Sequence, residues 1–88
     1  MKLKEQLILR QVGSSYFIVD AGKKEVDLTN IYALNKEAAF LWEAFHGKEF
    51  TMESMVECLC SRYDVPRDTA EHDVNEMLNT WQQFGLTE

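Results

Sequence analysis

The chain has 88 residues, 45% of them hydrophobic and 11% aromatic, which allows one small ordered domain over residues 1–88 and argues against a disordered tail. The net charge of −6 is uneven: residues 1–48 carry seven basic and six acidic side chains (+1), and residues 49–88 carry two basic and nine acidic ones (−7). Because duplex binding needs Lys and Arg against phosphates, the acidic second half argues against nucleic acid as a partner.

The sequence predicts a cytoplasmic protein. No apolar run approaches the roughly 20 residues of a membrane helix, and no signal-peptide core follows the N-terminus, so no membrane partner is expected. Cys58 and Cys60 are the only cysteines, and on one helix they would point about 200° apart. That spacing is unsuitable for a disulfide between them and fits a reducing compartment.

Three short strands are predicted first, at about 7–12, 16–20 and 26–33. The first two runs are rich in β-branched and aromatic residues, and the turn residues 13–15 between them predict a hairpin. A second turn at 21–24 leads to the third run, which alternates only in part and has apolar residues on both faces near its end. One face is therefore expected to meet the helices, and the other something outside the chain.

Three helices are predicted next, at about 36–46, 52–62 and 67–84. Asn35 and Thr51 are suitable N-caps for the first two, and Gly47 and Gly85 are suitable stops for the first and third. The first helix has an apolar stripe with Trp42 at its middle, which predicts a central core helix. The third is the longest amphipathic element; its stripe holds Ala70, Val74, Met77, Leu78, Trp81 and Phe84.

Phe40 and Cys58 lie off the predicted apolar stripes of the first and second helices. Phe40 lies about 160° from Trp42 around the first helix, so the core stripe does not account for it. Either this helix is buried on two sides, which the sequence favours, or Phe40 contacts a partner enzyme. On the second helix Cys60 is predicted to lie in the core with Met52, and Cys58 on the opposite side.

Strands followed by helices indicate an α+β fold in which three helices cover one side of a three-stranded antiparallel sheet. Helices in this order with a β-ribbon resemble a winged helix-turn-helix. Distributed short motifs extend over nearly the whole chain: Leu9-Arg10, Val12-Gly13, Leu34-Asn35, Ala39-Phe40-Leu41-Trp42, Gly47, Thr51, Tyr63-Asp64-Val65, Asp73-Val74 and Gly85-Leu86. This set, in this order, resembles the PqqD family, named for coenzyme PQQ synthesis. Ser14 stands where the family often has a second glycine, which affects only the hairpin tip.

The resemblance implies a non-catalytic peptide chaperone, or recognition element, for ribosomally made and post-translationally modified peptides. In such domains the leader segment of a precursor peptide is bound as an added strand along the third β-strand, in a groove completed by the third helix. The domain then presents the peptide to a modifying enzyme, in the PqqD case a radical SAM protein. The precursor, the product and the pathway are left open.

The residues themselves favour the same mechanism, because an open sheet edge offers unpaired backbone groups and a flanking helix can add side-chain selection. The acidic, partly apolar groove would suit a peptide with Lys or Arg among hydrophobic anchors. For Trp81 a role in the core is favoured over a role in the site, and Asp27 is more readily explained as a solvated charge. For Asp73, a role in peptide binding and a purely structural or solvated role are equally favoured. The predicted peptide-binding residues are Val26, Asp27, Leu28, Thr29, Ile31, Tyr32, Asp73, Met77, Thr80, Trp81 and Phe84.

No catalytic residue, metal or cofactor is predicted. A zinc site needs about four ligands, and the two cysteines with the distant His46 and His72 lack the usual separations. Nothing in the sequence orients a base against either thiol, and there is no glycine-rich phosphate loop.

Two other functions stay open. The first is a DNA-binding winged-helix regulator, although its recognition helix would set Arg67 alone against four carboxylates. The second is a docking subunit of a modifying enzyme with no peptide affinity of its own. A homodimer through the open strand edge is also possible.

Overall fold

The computed structural model describes residues 1–20 and 32–88, and its strands form one antiparallel sheet. Strand β1 (Leu7–Val12) pairs with β2 (Ser15–Asp20) in a hairpin that closes across residues 13 and 14. Strand β3 (Tyr32–Leu34) pairs with the other side of β2, with Ile18 opposite Tyr32. Among the described strands the order is β1-β2-β3, so β3 lies at an edge of the sheet that they form.

Only the end of the predicted third strand, 26–33, lies among the described residues. Tyr32 and Ala33 belong to β3, which continues to Leu34. Residues 26–31 and the predicted turn at 21–24 lie outside the described residues.

Three helices follow the sheet, which confirms the predicted α+β order. Helix α1 spans Lys36–Phe45, α2 spans Met52–Arg62 and α3 spans Arg67–Gln83. The first and third each end one residue before the predicted end, because His46 and Phe84 leave helical backbone angles. The glycines that follow them, Gly47 and Gly85, have φ values of 81° and 71°, a region that glycine adopts without steric cost.

Both predicted N-caps are present and explain where α1 and α2 begin. The Ala38 N–H donates to the Asn35 side chain at 2.8 Å. Thr51 and Ser54 cap each other: the Ser54 N–H donates to the Thr51 hydroxyl at 3.1 Å, and the Thr51 N–H donates to the Ser54 hydroxyl at 2.9 Å. Helix α3 begins after Pro66, the N-cap residue, whose carbonyl accepts from the Ala70 N–H at 3.0 Å.

The core is centred on a contact between two tryptophans. Trp42 of α1 and Trp81 of α3 are each 1% exposed, and their rings meet edge to face with centroids 5.1 Å apart. Ile18 reaches the same core from the sheet, and Met55 and Val56 from α2. Trp42 is thus the central core residue that the sequence predicted.

Phe40 and Cys58 show that two helices are covered on more than one side. Phe40 is half-buried, lies edge-on to the Tyr63 ring at 5.9 Å and has the Arg62 guanidinium 5.9 Å from its own ring centre. These contacts agree with the expectation that this helix is buried on two sides. The placement of Cys58 away from the core was wrong: it is half-buried against the core, as is Cys60. The reason is that α2 contacts both α1 and α3, so most of its circumference is covered. Met52, predicted on the apolar face, is exposed.

Residues 1–4 have a structural role that the sequence did not reveal. Leu3 is fully buried in the core. The Phe50 N–H donates to the Met1 carbonyl at 2.8 Å, the Lys4 N–H to the Leu86 carbonyl at 3.1 Å, and a further bond of 2.8 Å joins Glu88 to residue 2. This segment therefore connects the α1–α2 loop to the C-terminal residues. Within residues 1–20 and 32–88, no helix combines the length and apolar character needed to cross a membrane.

Candidate functional site

A groove of about 680 Å³ lies between the edge strand β3 and helix α3. Buried Ala38 and Leu41 of α1 form its base. On the strand side it is lined by Tyr32, Ala33, Leu34 and Asn35, and on the helix side by Thr69, Asp73, Val74, Glu76, Met77, Thr80 and Trp81. The remaining lining residues are Glu37, Leu59 and Val65.

The groove wall on α3 follows from the spacing of its residues. Thr69, Asp73 and Thr80 recur at helical intervals and form a stripe next to the buried stripe that holds α3 on the core. The buried stripe fixes the helix, so the neighbouring stripe is held facing β3. From Thr69 to Thr80 is eleven residues, or about 16 Å along the axis, which matches about five residues of extended chain.

An aromatic pair closes one end of the groove. The rings of Tyr32 on β3 and Phe84 at the end of α3 lie 5.1 Å apart at 48°. Phe84 is 65% exposed, so most of its ring is available for contact. Burial raises the pKa of the Tyr32 phenol above its usual value near 10, and the hydroxyl stays a neutral hydrogen-bonding group at neutral pH. This end of the groove therefore offers an apolar surface with one polar group.

Among the residues that the structure describes, the charged side chains lining the groove are all acidic. Glu37, Asp73 and Glu76 are exposed, and no basic side chain of the described residues lines the groove with them. Arg67, on the same helix, is held outside it: its guanidinium lies 3.1 Å from Glu71 and 3.7 Å from Glu53. The groove is therefore acidic with an apolar base.

His72 lies beside these carboxylates. Its Nε2 is 3.5 Å from the Glu76 carboxylate, and the potential ligand atoms of His72, Asp73 and Glu76 lie within 4.8 Å of one another. All three side chains are exposed, and exposed acidic groups occur commonly without a bound ion. The prediction that no metal is bound stays a prediction.

The structure brings together six of the eleven predicted peptide-binding residues. Five line the groove: Tyr32, Asp73, Met77, Thr80 and Trp81. Phe84 lies at the groove's end against Tyr32. Trp81, at 1% exposure, supports the groove from below more than it offers surface to a ligand. The other five lie outside the described residues: Val26, Asp27, Leu28, Thr29 and Ile31.

Three groove residues were not predicted from the sequence: Thr69, Glu76 and Glu37. The first two lie four residues before and three after Asp73, so helical periodicity could have found them. Glu37 is on α1, and its position depends on how α1 sits beside α3. No local sequence signal carries that information.

The outer side of β3 is the other part of the site. Among residues 1–20 and 32–88, β3 pairs with β2 alone, so its outer edge has no partner strand within that part of the chain. Ala33, in the middle of β3, is exposed. Such an edge can accept an additional strand through backbone hydrogen bonds.

A match to a family model identifies the family of this chain. The model of the family described as coenzyme PQQ synthesis protein D (PqqD) matches residues 9–86. The chain belongs to the PqqD family. This match begins within β1 and extends beyond α3, and it leaves residues 1–8 outside, although Leu3 is part of the core.

A solved structure has the same fold as this PqqD-family chain. It is described as TbiB1 in complex with the TbiA(beta) leader peptide, and the two chains superpose with a TM-score of 0.73 and 18% sequence identity. The match covers 100% of this chain and 95% of that one. At this identity the similarity establishes the fold alone. A comparison with curated proteins gave no match.

Proposed function

We propose that this PqqD-family protein is a non-catalytic peptide chaperone that binds the leader segment of a ribosomally made precursor peptide as an added strand on β3. The observation that carries the proposal is the groove, in which the three-residue edge strand β3 and an apolar base face a helical wall about 16 Å long. The leader peptide named with the similar structure supports it. The roles predicted for Val26, Asp27, Leu28, Thr29 and Ile31 remain part of this proposal.

The energetics of such a site divide between backbone and side chains. A strand added to β3 gains hydrogen bonds through its backbone whatever its sequence. Affinity above that level comes from apolar side chains placed on the groove base and on the exposed ring of Phe84. Selection among peptides therefore depends on the side chains that face α3.

The surroundings of Cys58 and His46 support binding over catalysis. Burial raises the pKa of the Cys58 thiol above its usual value near 9, so at neutral pH it is a thiol and not a nucleophilic thiolate. The His46 ring stacks on Trp42, and its Nε2 lies 3.2 Å from the Glu5 carbonyl, to which it donates when protonated there. Both residues are thus engaged in packing.

The DNA-binding alternative is less well supported. In a winged helix α3 would enter the groove of the duplex, yet it carries Asp68, Glu71, Asp73 and Glu76. Its one Arg already contacts two carboxylates, so it would have to leave them to reach a phosphate. Repulsion of the phosphates would weaken such binding strongly.

The proposal extends to the partners and the compartment. A radical SAM or related modifying enzyme would receive the bound peptide, and residues 1–88 would act as one peptide-recognition domain. Two copies could instead pair through their β3 edges, and such a homodimer would compete with peptide. Free thiols at Cys58 and Cys60 are typical of the reducing cytoplasm, where we place the protein.

Phe84→Ala is expected to weaken leader-peptide binding about 5- to 30-fold. The exposed part of the ring, once covered by peptide, would contribute about 1 to 2 kcal/mol of apolar burial, and this contact is lost. The measurement is isothermal titration calorimetry with synthetic peptides that cover the leaders of short precursors encoded beside this chain.

Val12→Ala is the matched control for this experiment. Val12 is 67% exposed at the hairpin tip and does not line the groove, so its variant should bind as the native protein does. Equal affinity of the native protein and Phe84→Ala for leader peptides would show that the aromatic end is not part of the binding site. Absence of any leader binding, together with co-purification of a modifying enzyme, would favour the docking-subunit alternative.

A further inference from the structure

We infer that the groove selects peptides in which an apolar or aromatic side chain and a Lys or Arg are four residues apart. The apolar side chain would occupy the Tyr32–Phe84 end, and the cation would face Asp73 and Glu76. This inference rests on the proposed function and narrows it to a class of ligand.

The spacing comes from the positions of the residues along α3. Phe84 lies eight residues beyond Glu76 and eleven beyond Asp73, so the carboxylates are about 12 and 16 Å from the aromatic end. An extended peptide rises about 3.3 Å per residue, so a spacing of four residues spans about 13 Å, between these two distances. The flexible stem of Lys or Arg covers the remaining few ångströms.

The parity of the spacing comes from strand geometry. Side chains of an extended peptide alternate between its two faces, so residues four apart point the same way and residues three or five apart do not. A peptide paired to β3 would have only one of its faces directed at α3. The two recognition side chains must therefore differ by an even number of sequence positions, as i and i+4 do.

The sign of the charge comes from the groove lining. Glu37, Asp73 and Glu76 carry the charges that line it among the described residues, and the guanidinium of Arg67 is turned to Glu53 and Glu71. His72 lies close to these acids, with its Nε2 3.5 Å from the Glu76 carboxylate. An acidic peptide would be repelled, whereas a Lys or Arg peptide would neutralise the groove.

Synthetic peptides of about nine residues test the inference, each with one Phe in a Ser/Thr/Val background. One peptide carries Lys four residues from Phe, a second carries Lys three residues away, and two more replace the first Lys by Gln or Glu. Each is made with Phe before and after the charged position, and all titrations contain EDTA so that a divalent ion does not bridge peptide and carboxylates. Fluorescence anisotropy gives the affinities.

The peptide with Lys four residues from Phe should bind up to about five-fold more tightly than its Gln counterpart at low salt, which is the upper end of what exposed ion pairs contribute. Its advantage should disappear as the salt concentration approaches 1 M, because screening then acts within about 3 Å. The peptide with Lys three residues from Phe should have the same affinity as the Gln peptide. Equal affinity of the Lys and Gln peptides, or of the two Lys spacings, would overturn the inference.

Protein variants assign the effect to the carboxylates. The double variant Asp73→Asn, Glu76→Gln should lose about five-fold in affinity for the Lys peptide and keep its affinity for the Gln peptide. Glu57→Gln, an exposed acid on α2 outside the groove, is the matched control and should change neither. Asp73→Lys should prefer the Glu peptide over the Lys peptide.

The proposed function and the selection rule can be disproved separately. If natural leaders bind at β3 and α3 while the designed peptides show no dependence on charge or spacing, the selection rule is wrong and the proposed function stands. If neither natural leaders nor designed peptides bind, both are wrong.

Discussion

Trp42→Ala is expected to lower the free energy of unfolding by about 3 to 5 kcal/mol. Trp42 is 1% exposed and packs edge to face on Trp81 in the centre of the core, so truncation leaves a cavity that the surrounding helices cannot close. Since small domains are stable by only about 5 to 15 kcal/mol, the variant should be close to unfolding. Urea denaturation followed by circular dichroism measures the change.

Phe84→Ala is the matched control, because it removes an aromatic ring that is 65% exposed and should change stability by less than about 1 kcal/mol. Trp42→Phe is a second useful variant. The Trp42 indole N–H is buried without a hydrogen-bond partner among the described residues, so Phe removes an unsatisfied donor along with some volume. Its loss should be clearly smaller than that of Trp42→Ala. Native stability of Trp42→Ala would show that α1 is not the central helix.

Leu3→Ala is expected to lower the free energy of unfolding by about 2 to 5 kcal/mol. Leu3 is fully buried, and the backbone around it bonds both to the α1–α2 loop and to the C-terminal residues. Loss of its side chain should therefore loosen both connections. The family match begins at residue 9, so this effect is not expected from family membership alone.

Thermal and urea unfolding of Leu3→Ala, compared with Met52→Ala, measure this effect. Met52 is an exposed apolar residue on α2, where alanine is at least as good a helix former, so its loss should change stability little. Equal stabilities of the two variants would show that the N-terminal segment does not contribute to the core.

Much of the fold was predictable because it depends on local chemistry. Asn35 and Thr51 can each accept a hydrogen bond from an early helical N–H, and that capacity is visible in the sequence. Trp42 and Trp81 were recognised from helical periodicity, which reports which face is buried. Helix ends were therefore predicted to within one residue.

The errors occur where burial depends on distant parts of the chain. Leu3 lies in a short segment held by isolated bridges to Glu49 and Thr87, so no periodic pattern marks it as core. Cys58 was placed away from the core because one apolar stripe was assumed for α2, whereas two helices cover it. Both cases require knowledge of tertiary packing.

The candidate site divides in the same way. Asp73, Met77 and Thr80 were found from spacing on one helix, because residues of one helical face lie together in any fold. The Tyr32–Phe84 contact joins residues 52 positions apart, and it forms only when β3 and α3 flank α1. The acidic character of the groove was predicted from the charge of the helical half, and the structure adds that Arg67 contacts Glu53 and Glu71 instead of lining the groove.

An NMR titration of the labelled protein with a leader peptide tests the central claim, that peptide binds between β3 and α3. We expect the backbone amide signals of β3 and of the groove-facing residues of α3 to shift together, with Asp73, Thr80 and Phe84 among them. The signals of Gly13 at the hairpin tip and Glu57 on α2 should stay in place. Shifts confined to the far ends of α1 and α2, with β3 unaffected, would contradict the account.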